Sequence, residues 1–440
     1  MSEQATAHGV DETCDVLVIG GGPGGSTVAT LLARAGLKVL QLEKVHHPRF
    51  HIGESLLPMN LPVFERLGVL EKVRAIATFK AGADFEADNE RGYNTYAFAR
   101  ALGNSPPHSF QVWRADFDKM LFEHARESGT DTREGHEVLS VEHRSLREHL
   151  ARVRTEDGRE YTVTARYVLD ASGRDALLAT HKKIRRKNAV HQSAAIFGHF
   201  HDAVYRDGED AGNISIYNFE HGWMWMIPLP NGVMSVGAVC RPDYLKTRRG
   251  RDSREFLRET LALCPALDER MRDATLIDDK AHVAGNYSYK SDTLGGPGWM
   301  LVGDAFAFLD PVFSSGVYLA MSGAERIADL TLAALADPAT EAPAQRRLEK
   351  RIRTGMARLS FFIYRFNSPV MQDMFRHPRN TWKVEQGVIS MLAGDVFDSR
   401  PVWWRLQLFR GIYAVYALRN WRRWRAENRY RRAQAKAVFE

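Results

Sequence analysis

The run Gly20-Gly21-Gly22-Pro23-Gly24-Gly25 constrains this chain most, because of what stands on either side of it. Cys14 to Ile19 is a short apolar run suited to a buried parallel strand. An Ala- and Leu-rich helix follows the glycines through Ala35 and is stopped by Gly36. Lys38 to Leu42 makes a second strand that ends at Glu43. Strand, glycine turn, helix and strand form a βαβ unit, the opening of a doubly wound α/β domain. Gly20, Gly22 and Gly25 fit G-x-G-x-x-G. The first allows a tight turn, the second lets the backbone approach a pyrophosphate, and the third permits close helix–strand packing. Free N–H groups at the helix start face phosphate charge, and Glu43 is placed to accept from ribose hydroxyls.

A second piece of the same kind lies far along the chain. Trp299 to Val302 reads as a strand, followed by Gly303-Asp304 and a helix from about Gly316 to Leu335. A strand ending at Leu169-Asp170-Ala171-Ser172-Gly173 falls between the two pieces, and Ile214–Tyr217 and Trp223–Val239 carry strand character. The expected organisation is a split nucleotide domain (12–190 with 291–340), an inserted sheet-based substrate domain (191–290) and a helical, basic C-terminal region (341–440). Asp304 after its strand resembles the second FAD motif of glutathione-reductase and hydroxybenzoate-hydroxylase type flavoproteins. Asp170-Ala171-Ser172-Gly173-Arg174 resembles a third segment of those folds. Arg114 matches their cofactor-contacting arginine, and Val138 the strand residue beside the adenine. The resemblance implies a Rossmann-like FAD domain of the hydroxybenzoate-hydroxylase type, with FAD as the cofactor.

Composition excludes several other classes. With 44% hydrophobic and 26% charged residues the chain is an ordinary globular one. Three cysteines without pairable spacing argue against a disulfide framework and for a reducing cytoplasm. Met1 to Thr13 lacks the apolar core of a signal peptide, and no stretch reaches the roughly 20 apolar residues of a transmembrane helix. Of the net charge of +6, most sits in residues 421–440, with seven bases and two acids. The basic balance therefore describes a tail. Nothing beyond charge favours nucleic acid as a partner.

Three further signatures narrow the chemistry. His221-Gly222-Trp223-Met224-Trp225-Met226-Ile227-Pro228 holds a W-x-W-x-I-P pattern, and strand periodicity puts Trp223, Trp225 and Ile227 on one face. Phe308, Pro311, Ser314 and Gly316 fit F-x-x-P-x-x-S-x-G at a helix start, where free N–H groups can hold an anion. Lys80 follows the loop Gly53-Glu54-Ser55-Leu56-Leu57-Pro58. From about residue 12 to 340 these motifs resemble those of flavin-dependent halogenases.

That resemblance implies a set of roles. FAD, used as FADH2 supplied by a separate flavin reductase, reacts with O2 to a C4a-hydroperoxide. Chloride or bromide held at Ser315 and Gly316 becomes hypohalous acid, which passes a wall of Trp223, Trp225, Ile227 and Phe313 to the catalytic Lys80. Ser55, Pro311, Gly316 and Val317 join the cofactor site. Halogenases of free tryptophan carry a Glu where this chain has Phe313, and the stretch at 310–317 resembles enzymes of phenols and pyrroles, many tethered to acyl or peptidyl carrier proteins. The implied substrate is a small electron-rich aromatic. A flavin monooxygenase or reductase on the same scaffold, and a non-catalytic flavin-bearing partner protein, are the alternatives.

The C-terminal region shows Trp403, Leu406, Phe409, Tyr413 and Tyr416 at helical spacing, expected as the buried face of a helix. The Arg-rich end beyond it is either a solvated face or a dock for an acidic carrier protein or membrane surface.

Overall fold

The computed structural model describes residues 12–90, 92–187, 193–285 and 288–421, together with Arg425 and Arg429. The remaining arginines of the C-terminal end, and with them the choice between a solvated face and a dock, lie outside the described residues.

Strand β1 (Glu12–Ile19) leads through the glycine turn into helix α1 (Pro23–Arg34) and strand β2 (Val39–Leu42). Strands β3 (Glu160–Asp170) and β4 (Trp299–Leu301) complete the core of a sheet, followed by helix α2 (Gly316–Ala336). The parallel order is β4, β3, β1, β2 and then Asp131–Arg133. Their buried stretches, Val16 to Ile19, Val39 to Leu42, Tyr167 to Leu169 and Trp299 to Leu301, are apolar but for Gln41, as parallel strands covered by other layers require. Val16, Leu17, Val18, Val168, Leu169 and Met300 have no measurable exposure. The register pairs Ile19 with both Asp170 and Leu42, so the carboxyl ends of the strands finish level. Gly20, Glu43, Ala171 and the segment after Leu301 therefore share one edge, where such sheets bind ligands.

A second sheet runs in the order Thr275–Leu276, Ala194–His201, Val233–Cys240, Gly222–Leu229, Ile214–Phe219, Gly82–Glu86 and Tyr93–Ala97. Its last two strands come from within 12–190, so the substrate layer draws on chain that the sequence grouped with the nucleotide domain. Ile214–Phe219 accepts Gly82–Glu86 as a parallel neighbour, a pairing between segments some 130 residues apart that no local pattern announces. One face of this sheet packs Trp223, Trp225 and Ile227 toward the C-terminal helices. The other packs Met224 and Met226 beneath Ser253–Leu261 and Pro265–Arg270.

The C-terminal region folds into helices at 341–363, 369–376, 384–392 and 400–419. In the last of these Val402, Leu406, Phe409 and Tyr413 are buried. Trp403, expected on that face, is instead 43% exposed and stacks on Trp404, because it lies about 100° around the helix from Val402. No helix among the described residues is long and apolar enough to cross a membrane.

Candidate active site

The carboxyl edge of the parallel sheet opens into a cavity of about 610 Å³, within the range of cofactor sites. Gly20, Gly22, Glu43, Ser55, Arg114, Val138, Asp304, Pro311, Gly316 and Val317 all line it. The glycines have separate reasons to be there. A Cβ on Gly20, whose φ is +107°, would meet the Ala171 carbonyl oxygen at 2.4 Å, and one on Gly25 would meet the Gly20 carbonyl oxygen at 2.2 Å. Both are dictated by backbone packing. A Cβ on Gly22 would find nothing closer than Arg49 Nη2 at 3.6 Å. That glycine keeps open the space in front of the α1 N-terminus, which has no capping side chain and no acid in its first turn. The open cradle and the unclaimed N–H groups fit a diphosphate.

Glu43 is half committed. Its Oε2 accepts from Gly21 N at 2.7 Å and its Oε1 from Val45 N at 3.2 Å, leaving acceptor capacity toward the cavity for ribose hydroxyls. Asp170 is wholly structural: it accepts from Ser172 N, Ser172 Oγ and Leu178 N and so shapes the Ala171–Gly173 turn. Arg114 grips Asp118 with two nitrogens at 2.8 and 2.9 Å and donates to the Ile52 carbonyl at 2.7 Å. It thus holds the loop that carries Ser55. Burial pushes the Asp304 carboxyl up to about 6, against the opposing pull of Arg114 and Arg174.

Arg49 was not singled out by the sequence. It lines the cavity beside Gly22, pairs with Glu43 at 3.5 Å and Asp118 at 3.6 Å, and keeps a buried Nε without a partner. An arginine seven residues after the second strand carries no motif, and only the fold shows that it overhangs the phosphate cradle.

The indoles of Trp223 and Trp225 and the side chain of Ile227 line the far side of the same cavity with Ile214 and Val239. The rings lie 5.7 Å apart, and Trp225 Nε1 donates to Ser235 Oγ at 3.2 Å. Phe313, expected on this wall, turns away into a cluster with Phe366 at 5.6 Å and Phe375 at 6.3 Å. Burial among the C-terminal aromatics offers that ring more apolar contact than the cavity does. Ser314, in the left-handed region at φ +53°, faces the cavity, whereas Ser315 borders a separate small void of about 30 Å³ that it shares with Gly316, Asp304 and Phe308.

Lys80 stands behind the cavity. It ends the strand Ala77–Lys80, which pairs with Ser109–Val112, and Ser55 bridges to Gln111 of that partner strand. This pairing brings Nζ to 2.8 Å from Ser55 Oγ and 2.9 Å from the Leu56 carbonyl oxygen, with the face of Phe98 at 5.3 Å. The side chain is 1% exposed and pairs with no carboxylate among the described residues; burial alone brings its amine down to about 7. Ser55 touches both the cavity and the amine.

Comparison with known proteins agrees with this geometry. Residues 13–354 match the FAD binding domain family. A flavin-dependent halogenase of Metacordyceps chlamydosporia is 33% identical over 373 residues, covering 79% of this chain and 70% of that protein. A tryptophan 2-halogenase of Chondromyces crocatus is 37% identical over 313 residues, 70% of this chain and 59% of that protein. Among solved structures, a flavoprotein/dehydrogenase of Cytophaga hutchinsonii superposes with a TM-score of 0.85 at 26% identity, covering 92% of this chain and all of that one. The myxobacterial chondrochloren halogenase gives 0.75 at 30% identity, over 90% and 96% of the two chains.

Proposed function

The chain belongs to the FAD-dependent halogenases, and from that premise we propose that it places chlorine or bromine on an electron-rich phenolic or pyrrolic ring. The observation that carries the reading is the buried amine of Lys80, held by Ser55 and the Leu56 carbonyl without an ion-pair partner among the described residues.

FAD would be held by Gly20, Gly22, Glu43, Arg49, Arg114, Val138, Asp304, Pro311, Gly316 and Val317, with Gly25 serving the packing of the helix behind the turn. In its reduced form it supplies the activation of O2 that converts halide to hypohalous acid. The N–H groups at Ser315 and Gly316, which open α2, are the donors available to a halide. Trp223, Trp225 and Ile227 would keep water from their side of the cavity. Lys80 takes the halogen from hypohalous acid: the N–H bond breaks, an N–halogen bond forms and water leaves. The ring then attacks the halogen, the N–halogen electron pair returns to nitrogen, and the ring loses its proton. With its amine near 7, Lys80 holds the required lone pair at neutral pH.

We assign the supply of reduced FAD to a separate flavin reductase, and the substrate to the free or carrier-bound phenols and pyrroles. Phe313 stands where halogenases of free tryptophan carry an acid, which supports a ring that needs no such help. Three unpaired, buried cysteines suit a reducing cytoplasm.

The test is mass spectrometry of reactions with reduced FAD, bromide or chloride, and a panel of free and carrier-bound phenols and pyrroles plus free tryptophan. Halogenated phenol or pyrrole, lost in Lys80→Ala with FAD still bound, is the expected result. Preference for tryptophan would overturn the substrate reading. The similarity to a flavoprotein/dehydrogenase favours a second reading, a flavin oxidoreductase without halide chemistry, and a halide-independent product would establish it instead.

A further inference from the structure

We propose that His199, Asp278 and His282 form a binding site for a single tetrahedral divalent cation of the zinc type, separate from the flavin cavity. The chain builds this cluster by wrapping back on itself. Thr275–Leu276 and His282–Ala284 both pair with the strand Ala194–His201, Leu276 opposite Phe200 and His282 opposite Phe197. The connecting turn is pinned by the Ile277 N–H donating to the His199 carbonyl at 2.8 Å, which holds Asp278 over the His199 ring.

Two of the three separations fit a tetrahedral ion. Asp278 Oδ2 lies 3.4 Å from His199 Nδ1 and 3.3 Å from His282 Nε2. Ligands about 2.0–2.1 Å from a tetrahedral centre are separated by about 3.3–3.4 Å, whereas adjacent ligands of an octahedral ion at those bond lengths sit about 2.9 Å apart. The carboxylate–imidazole separations match the tetrahedron. All three ligand atoms lie within 4.8 Å of one another, so only the two imidazoles need to draw together.

The surroundings point the same way. His282 Nε2 is buried and makes no well-aligned hydrogen bond, with the Asp278 carboxylate beside it at 3.3 Å, so its lone pair is open to an ion shared with that carboxylate. His199 uses its other nitrogen, Nε2, to reach Glu54 Oε1 at 2.6 Å. A proton on Nε2 leaves Nδ1 free for a metal, the carboxylate–histidine–metal relay that orients such ligands. Phe50 stacks on His282 at 4.2 Å and Trp113 lies 4.5 Å from His199, so apolar rings shield the cluster. The Asp278 and His282 side chains are 30% and 26% exposed, which lets a water complete the coordination. Glu54 precedes Ser55, so an ion here would steady the loop that holds Lys80. The cluster would be a clamp on that loop, whatever ring is the substrate.

The test uses the full-length, FAD-loaded protein, stripped with chelator and titrated with Zn2+ alone. One zinc per chain retained through gel filtration, with a rise in Tm, is expected. Asp278→Asn and His282→Ala should each abolish retention while leaving the flavin bound, and His282→Cys, which supplies another zinc ligand, should restore it. Substoichiometric zinc in the parent protein would overturn the proposal and leave His199 as an imidazolium bridging Glu54 and Asp278. Retention unchanged in both Asp278→Asn and His282→Ala would overturn it as well.

Discussion

Lys80 and Ser55 meet at 2.8 Å, nitrogen to hydroxyl oxygen, with the amine sealed from solvent and the hydroxyl bordering the flavin cavity. Ser55 is therefore the sole cavity-lining side chain that also touches the amine among the described residues.

Replacing Lys80 by Met should abolish halogenation yet raise stability. Its amine titrates near 7 when folded, against 10.5 when unfolded. Between these values the unfolded chain binds more protons, so the stability of the parent protein rises with pH across that window. The burial cost, on the order of a few kcal/mol, is fully present below pH 7. Thermal melts should place Lys80→Met above the parent at pH 6–7, with the gap closing toward pH 10.

The pH–rate profile separates two roles for the amine. A neutral amine that takes the halogen gives a rate that rises to a plateau through a limb near pH 7. An ammonium that only hydrogen-bonds hypohalous acid gives a fall above pH 7. The rising limb is expected, because Ser55 and Leu56 occupy two hydrogens and leave the lone pair of a neutral amine uncommitted. Single-turnover rates with pre-reduced flavin measure it.

Asp304→Asn should stabilise the flavin-free protein and weaken its hold on FAD. The carboxyl titrates near 6 when folded and 3.8 when unfolded. The folded state then binds more protons across that interval, so stability falls as pH rises through it, and the penalty is complete above pH 6. At pH 7.5 the variant should be stabilised by about 1–2 kcal/mol, allowing for water in the open cavity, with less difference at pH 5. Loss of a charged hydrogen bond should weaken FAD by roughly tenfold or more, read from flavin fluorescence.

Gly22→Ala and Gly25→Ala should fail in different ways. A Cβ at Gly25 falls 2.2 Å from a backbone oxygen, while one at Gly22 falls into open space. Gly25→Ala should lower Tm sharply, by several kcal/mol of stability. Gly22→Ala should melt within about 1 kcal/mol of the parent yet bind FAD at least tenfold more weakly. Calorimetry and flavin titration on both variants check the contrast.

Features written in adjacent residues were legible in the sequence. Gly20 to Glu43 is a local grammar of strand, turn and helix, and the alternation of Trp223, Trp225 and Ile227 needed nothing but strand periodicity. What failed or was missed depends on distant chain. Phe313 could join the wall or the core, and the aromatic helices 359–375 decide for the core. Trp403 shares the helical spacing of its neighbours but faces out by one residue's rotation. Arg49 and the His199–Asp278–His282 cluster carry no spacing signal, because their partners arrive from other elements. Lys80 stands out only through the resemblance to the halogenases, whose pattern puts a lysine after the Gly53–Pro58 loop, while its burial and its hydroxyl and carbonyl partners emerge only from the pairing of Ala77–Lys80 with Ser109–Val112.

The parallel pairing of Gly82–Glu86 with Ile214–Phe219 makes Lys80 a near neighbour, in covalent terms, of the second sheet. Only Ala81 separates Lys80 from a strand of that sheet. Recombining halogenases by grafting residues 191–290 alone would leave the transplanted layer without its two outer strands, and the recipient's amine tethered to a foreign edge. A graft that also carries residues 77–97 moves the amine and its sheet as one piece.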